Sequence, residues 1–263
     1  MFDFPNINPI AIDIGIIKIR WYALSYICGI LLSWLLILKI IKTKNIKVSN
    51  KNISDLISNC MIGIIVGGRL GYVIFYNPEY YINNLLEVFK IWNGGMSFHG
   101  GFIGVIIAVI YTSKSYKIPT MFFSDLISVV SPIGIFFGRI ANFINGELYG
   151  KVTTHKFGMI FPKGGSSPRH PSQIYEAFFE GLLLFVILWL LMNISNFFDK
   201  KGLMTASFIF LYGVFRFFVE FFREPDLHIG YLYFNLSMGQ ILSLPMIIIG
   251  LYLINRFYKK SEI

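Results

Sequence analysis

The sequence predicts an all-α polytopic membrane protein, with seven transmembrane helices around a polar cavity, the N-terminus outside and the C-terminus cytoplasmic. Three observations carry that reading. Of 263 residues, 55% are hydrophobic and only 14% charged. Soluble domains carry roughly 25% charged residues, so this chain cannot cover its own surface in water. Seven runs approach the ~20 mainly apolar residues that cross about 30 Å of hydrocarbon. Finally, three arginines fall inside those runs, where each costs about 2.5 to 3.5 kcal/mol on insertion scales and is expected to face a bundle interior or a watery cavity.

In chain order the runs are residues 22–39, 56–76, 98–112, 122–143, 175–192, 203–221 and 238–257. The third is short and opens in a glycine cluster, which suits a tilted or partly re-entrant segment. Asp3 and Asp13 stand where a cleavable signal would be basic, and no small-residue cleavage site follows the first run, so that run is expected to stay as an anchor. Cys28 and Cys60 lack CxxC or Cys/His spacing and read as buried small side chains. With no compositional break, residues 1–263 read as a single integral membrane domain. Its small extracytoplasmic segments fall near 1–20, 77–97, 144–174 and 222–237.

The net charge of +9 orients the chain rather than recruiting nucleic acid. Lys39, Lys42, Lys44, Lys47, Lys51, Lys114, Lys117, Lys200, Lys201, Arg256, Lys259 and Lys260 fall on one side. The opposite side holds Lys18, Arg20, Lys90, Lys151, Lys156, Lys163, Arg169 and Arg223. Because cytoplasmic loops carry the basic excess, the tail is expected in the cytoplasm. Arg69, Arg139 and Arg216 remain inside the runs.

Five polar stretches interrupt the apolar background. GGRLGYVIFYN (67–77) sets Arg69 among glycines, as a structural ion pair or a site residue. WNGGMSFHGG (92–101) brackets His99 with two Gly-Gly pairs, which disfavours ordinary helix there; histidine titrates near neutrality and is the natural general base. In GRIANFINGELYG (138–150), Arg139 and Asn142 share a helical face, Asn145-Gly146 ends the helix, and Glu147 follows, placed to pair with or orient an arginine. RHPSQIYEA (169–177) marks a helix start at Pro171, capped by Ser172 or His170, with Gln173, Tyr175 and Glu176 candidates to line the cavity. In YGVFRFFVEFFREPD (212–226), Tyr212, Arg216, Glu220 and Arg223 recur on one helical face, so that Arg216 and Glu220 pair. Near the first run, Tyr22 is either an interfacial belt residue beside Arg20 or a donor to a lipid head group. Two deep arginines with a histidine and carboxylates match a site for an anionic head group, because the planar guanidinium binds phosphate through two N–H groups. No second histidine or carboxylate cluster lies at metal-ligand spacing near His99, which argues against zinc.

These five stretches, in this order, closely resemble prolipoprotein diacylglyceryl transferases of the bacterial inner membrane. GRIANFINGELYG matches the family signature G-R-x-[GA]-N-F-x-N-x-E-x-x-G at every specified position. The resemblance implies a lipid-binding cavity and transfer of the sn-1,2-diacylglyceryl group of phosphatidylglycerol to the lipobox cysteine of a preprolipoprotein signal peptide. Glycerol 1-phosphate is released in this first step of lipoprotein maturation. It also implies that Arg139 and Arg216 hold the head group and that His99 is the base, acting directly, through Tyr22 or through water. Tyr22, Asn142, Glu147, Gly150 and Glu220 match other functional positions, and Tyr212 and Arg69 complete the expected binding set. Glu147 and Glu220 are expected to aim the arginines and Gly150 to serve backbone geometry. The chemistry calls for no metal, organic cofactor or protein thiol. The partners are then the two substrates and the bilayer, with no nucleic acid; oligomeric state stays open, a monomer being the simplest case. Two rivals use the same charges: a lipid transporter or scramblase, and a structural protein with interhelical ion pairs.

Overall fold

A computed structural model describes residues 2–5, 7–15, 18–194, 197–225 and 230–259. Lys260, counted with the tail, and Asp226, the end of the last motif, lie outside the described residues.

Helices dominate because a backbone in hydrocarbon must satisfy its own N–H and C=O groups. Among the described residues six helical stretches are long and apolar enough to cross a membrane: α1 (Trp21–Thr43), α2 (Asn50–Phe75), α4 (Phe98–Tyr116), α5 (Thr120–Ile144), the composite helix Ser172–Asn193, and α9 (Met238–Lys259). The composite helix consists of α6 (Ser172–Glu176), a π-helical turn (Ala177–Leu183) and α7 (Leu184–Asn193). The sixth apolar run forms α8 (Leu203–Val219), shorter at 17 residues. A short α3 (Pro78–Asn83) and two 3₁₀ turns join α2 to α4. Large apolar side chains such as Leu35, Ile62, Ile107 and Ile248 are exposed, as helices facing lipid require. The chain is a multi-pass membrane protein.

Two compact units divide it: Met1–Ser33 with Asp125–Ile263, and Trp34–Ser124. In the second unit α2 packs on α4 through glycines. A side chain at Gly67 would strike the Gly100 carbonyl, and one at Gly104 the carbonyl of Gly63. Small residues at this spacing let two backbones touch, the usual route to helix association in lipid. Ser97 caps α4, accepting from the Gly100 amide at 3.3 Å. His99 therefore lies in the first turn of an ordinary helix, contrary to the expectation from its flanking glycines. Only the first pair, Gly94 and Gly95, takes irregular backbone, with φ of +82° and +78°; Gly100 serves close approach instead.

In the first unit two small sheets tie down the N-terminal segment. β1 (Phe2–Asp3) runs parallel to β4 (Met159–Ile160), and β2 (Ile10–Asp13) is antiparallel to β3 (Lys18–Arg20), with Ile10 opposite Arg20. The buried Asp125 of α5 caps α8, accepting from the Gly202 and Thr205 amides at 2.6 and 2.8 Å and from the Thr205 hydroxyl at 2.7 Å. That cap fixes where α8 starts, and hence where Arg216 sits along it. Gly181 of the π turn lies against the backbone of Phe136 in α5 and leaves no room for a Cβ. Cys28 is exposed and Cys60 buried. The expectation that both are buried holds only for the second, since Cys28 occupies an outward position of α1.

Candidate active site

Three arginines and three glutamates of the first unit converge. Arg139 on α5 places Nε 2.8 Å from Oε2 of Glu176 and Nη2 3.4 Å from Oε2 of Glu180. Arg216 on α8 places Nη1 3.3 Å from Oε1 of Glu180 and Nη2 2.5 Å from Oε1 of Glu220. Arg223 donates to Oε1 of Glu176 at 3.2 Å. The side chains of Glu176 and Glu180 are 0% exposed. The formal charges cancel, which makes burial of so many ions tolerable; their desolvation still costs more than an apolar core would, so such clusters in a membrane mark functional sites.

Local structure explains the convergence. Glu176 and Glu180 are four residues apart, and the helix between them turns in the i→i+5 pattern, a rare form concentrated at functional sites. Gly181 lets this turn reach the α5 backbone, one helical turn before Arg139. Glu220 ends α8 one turn after Arg216, as the four-residue spacing predicted. Its second oxygen accepts the Ser237 hydroxyl at 2.7 Å, and Ser237 forms a reciprocal capping box with Gln240 at the start of α9.

A second polar group adjoins the signature motif. Asn142, 4% exposed, donates from Nδ2 to the Tyr22 hydroxyl at 3.1 Å and to Glu147 Oε1 at 3.0 Å. Asn145 also donates to that Glu147 oxygen at 3.3 Å. The helix ends at Ile144, and Gly146 follows with φ of +61°. Glu147 thus orients Asn142 rather than an arginine, a correction to the expected role; the turn at Gly146 carries it back over Asn142. Beyond it, the Gly150 amide donates to the His170 carbonyl at 2.8 Å, and Gly150 bridges Arg223. A Cβ at Gly150 would strike the Phe222 carbonyl and His170, so the glycine does serve backbone geometry.

The Pro171 boundary also differs in detail. No side chain caps the helix there, and the Ser172 hydroxyl instead donates to the Leu148 carbonyl at 2.9 Å. Gln173 likewise donates to the Glu147 carbonyl at 2.6 Å, so both side chains tie α6 to the signature loop. Burial lowers the pKa of His170 first, and the charges of His155 and Lys151 lower it further.

Tyr212 stacks on Phe208, their ring centroids 5.8 Å apart, and shares the electrostatic surroundings of Arg139, Arg216 and Glu180. Arg69 and His99 belong to the second unit. His99 is exposed and meets Phe98 edge-on. Arg69 is only 4% exposed and has no acidic partner among the described residues. Its Nε donates to the Val88 carbonyl at 2.9 Å, Nη1 to Gly94 and Gly95 at 2.5 and 3.2 Å, and Nη2 to Glu87 and Lys90 at 2.6 and 3.3 Å. Its donors are spent, and the expectation that it contacts substrate is withdrawn on that ground. Conversely, sequence reasoning passed over Glu180 and left Glu176 among general lining residues. Their signal was two carboxylates four apart within an apolar run, the acidic counterpart of the intramembrane arginines.

A family model described as "Prolipoprotein diacylglyceryl transferase" matches residues 9–256. The chain is 53% identical over 251 residues to a phosphatidylglycerol–prolipoprotein diacylglyceryl transferase of Rickettsia felis, covering 95% of this chain and 97% of the relative. The relative of the same name from Rickettsia bellii is 51% identical, covering 95% of each; that from Rickettsia conorii is 53% identical, covering 95% and 97%. The chain belongs to the prolipoprotein diacylglyceryl transferase family.

Proposed function

We propose that this protein transfers the sn-1,2-diacylglyceryl group of phosphatidylglycerol to the lipobox cysteine of preprolipoproteins, the first step of lipoprotein maturation. The observation that carries the reading is the buried meeting of Arg139 and Arg216 over shared carboxylates, in a chain whose relatives bear that enzyme's name. In the reaction a sulfur–carbon bond forms at the glyceryl carbon and the carbon–oxygen bond to phosphate breaks. The bonding electrons leave on glycerol phosphate, and the thiol proton goes to the base. Thiolate is the competent nucleophile, and His99 is assigned as the group that generates it, directly, through Tyr22 or through water. Arg139 and Arg216 neutralise charge developing on the leaving phosphate, the role in which preorganised donors contribute most. Asn142, held by Glu147, presents Tyr22; Glu220 aims Arg216; Tyr212 packs beside the arginines; Gly150 shapes the adjoining loop. The protein works as one integral domain of the bacterial inner membrane, with seven spans, an outer N-terminus and a cytoplasmic C-terminus.

Purified protein, phosphatidylglycerol and a lipobox peptide test this. The expected products are thioether-linked diacylglyceryl peptide and an equal amount of glycerol 1-phosphate. Phospholipid flip without either product would instead identify a scramblase, and neither activity would leave a structural role.

A further inference from the structure

We infer that Glu180 is an internal counter-ion occupying the seat of the head-group phosphate, and that head-group binding is coupled to uptake of one proton by Glu180. The inference rests on the reading of Arg139 and Arg216 as the phosphate site. Among the three carboxylates, Glu180 alone divides its two oxygens between these arginines, and its contacts are long, 3.4 Å to Arg139 Nη2 and 3.3 Å to Arg216 Nη1. Glu176 and Glu220 each approach one arginine more closely, at 2.8 and 2.5 Å, and Glu176 Oε2 also lies 3.8 Å from Arg216 Nη1, but each takes its hydrogen bond elsewhere, Glu176 from Arg223 and Glu220 from the Ser237 hydroxyl. A phosphate bridging the two guanidiniums would use the same Nη2 and Nη1 groups. The carboxylate whose hydrogen bonds occupy those two groups is therefore the one a phosphate displaces.

Charge balance supplies the proton. Arg139, Arg216 and Arg223 face Glu176, Glu180 and Glu220, three against three. An arriving phosphodiester adds one negative charge. Displaced from both arginines, a fully buried Glu180 carboxylate would be an unpaired ion in a low-dielectric interior, which is costly enough that such groups neutralise instead. The groups facing Glu180 are Arg139 from α5, Arg216 and Tyr212 from α8, and Glu176 from its own helix. Of these, the arginines stay charged and Glu176 keeps Arg139 and Arg223, leaving Glu180 to take the proton. A built-in competitor also limits retention of the product phosphate.

The probe is glycerophosphoglycerol, the deacylated head group, whose single charge is constant from pH 5 to 9. Calorimetry on full-length protein in detergent is expected to show wild-type affinity falling as pH rises. Heats in two buffers of different ionisation enthalpy should report one proton taken up. Glu180→Gln should bind at least tenfold more tightly, without proton uptake and with a flat pH profile. Unchanged or weaker affinity in folded Glu180→Gln, or no proton uptake by wild type, overturns the inference. If Glu180→Gln does not fold, the wild-type proton count decides. Arg139→Ala and Arg216→Ala run alongside. Their loss of binding beside an unaltered Glu180→Gln would leave the phosphate site standing and remove only the counter-ion, whereas unimpaired binding in both would remove the site.

Discussion

Arg69 and Arg216 look alike in the sequence, each an arginine in an apolar run with a glycine nearby, yet the two units treat them in opposite ways. Arg69 is enclosed by backbone carbonyls of residues 87–95, neutral dipoles that belong to the fold and cannot be exchanged. It pins the segment between α2 and α4 and has no donor left for a ligand. Arg216, like Arg139, is held by carboxylates, anions for which another anion can substitute. On the proposed reading, a binding arginine is marked by the chemical kind of its partners rather than by its depth in the membrane.

The most damaging changes on this account are Arg139→Ala and Arg216→Ala. Each should lower diacylglyceryl transfer by about 10³-fold, the scale of losing a donor to developing charge, with helicity by circular dichroism intact. Next is His99→Gln, expected to cost about 10²-fold and to flatten the limb of the pH–rate profile where the base titrates; a near wild-type rate with an unchanged profile would remove His99 as base. Arg69→Ala should act on stability instead. Leaving several buried carbonyls unpaired costs about 2–3 kcal/mol or more, seen as a lower melting temperature, while turnover per folded molecule changes only a few-fold. A stable but inactive Arg69→Ala protein would erase the contrast between the two arginines. Smallest is the double change Cys28→Ser with Cys60→Ser, expected to leave transfer near wild type. A folded but dead variant would implicate a protein thiol.

Much of the fold was legible because hydrocarbon imposes a length. Residues 98–112, the shortest run, became the 19-residue α4, and residues 238–257 became α9 almost unchanged. The four-residue step from Arg216 to Glu220 likewise read through to a 2.5 Å ion pair, since helical geometry sets both. What the sequence hid depends on packing. Nothing local distinguishes Gly94-Gly95, which takes positive φ, from Gly100-Gly101, which stays helical; the facing glycines of α2 decide. Arg69's partners lie 18 to 26 residues away and are carbonyls, which every residue carries. Glu180 stands outside every polar stretch, alone in the apolar run FFEGLLL, and only the need of a buried arginine for an anion or its equivalent points to it. The relation of Glu147 to Asn142 rather than to an arginine depends on how the chain turns at Gly146.

The central claim is that the carboxylate-held arginines are the phosphate site and the carbonyl-held one is not. Determining the structure of the full-length protein with a phosphatidylglycerol molecule bound tests it most directly. The account predicts phosphate oxygens on Arg139 Nη2 and Arg216 Nη1, with Glu180 moved off both and Arg69 still enclosed by its carbonyls. A head group seated elsewhere, with the Glu180 bridge between the two arginines intact, would contradict it.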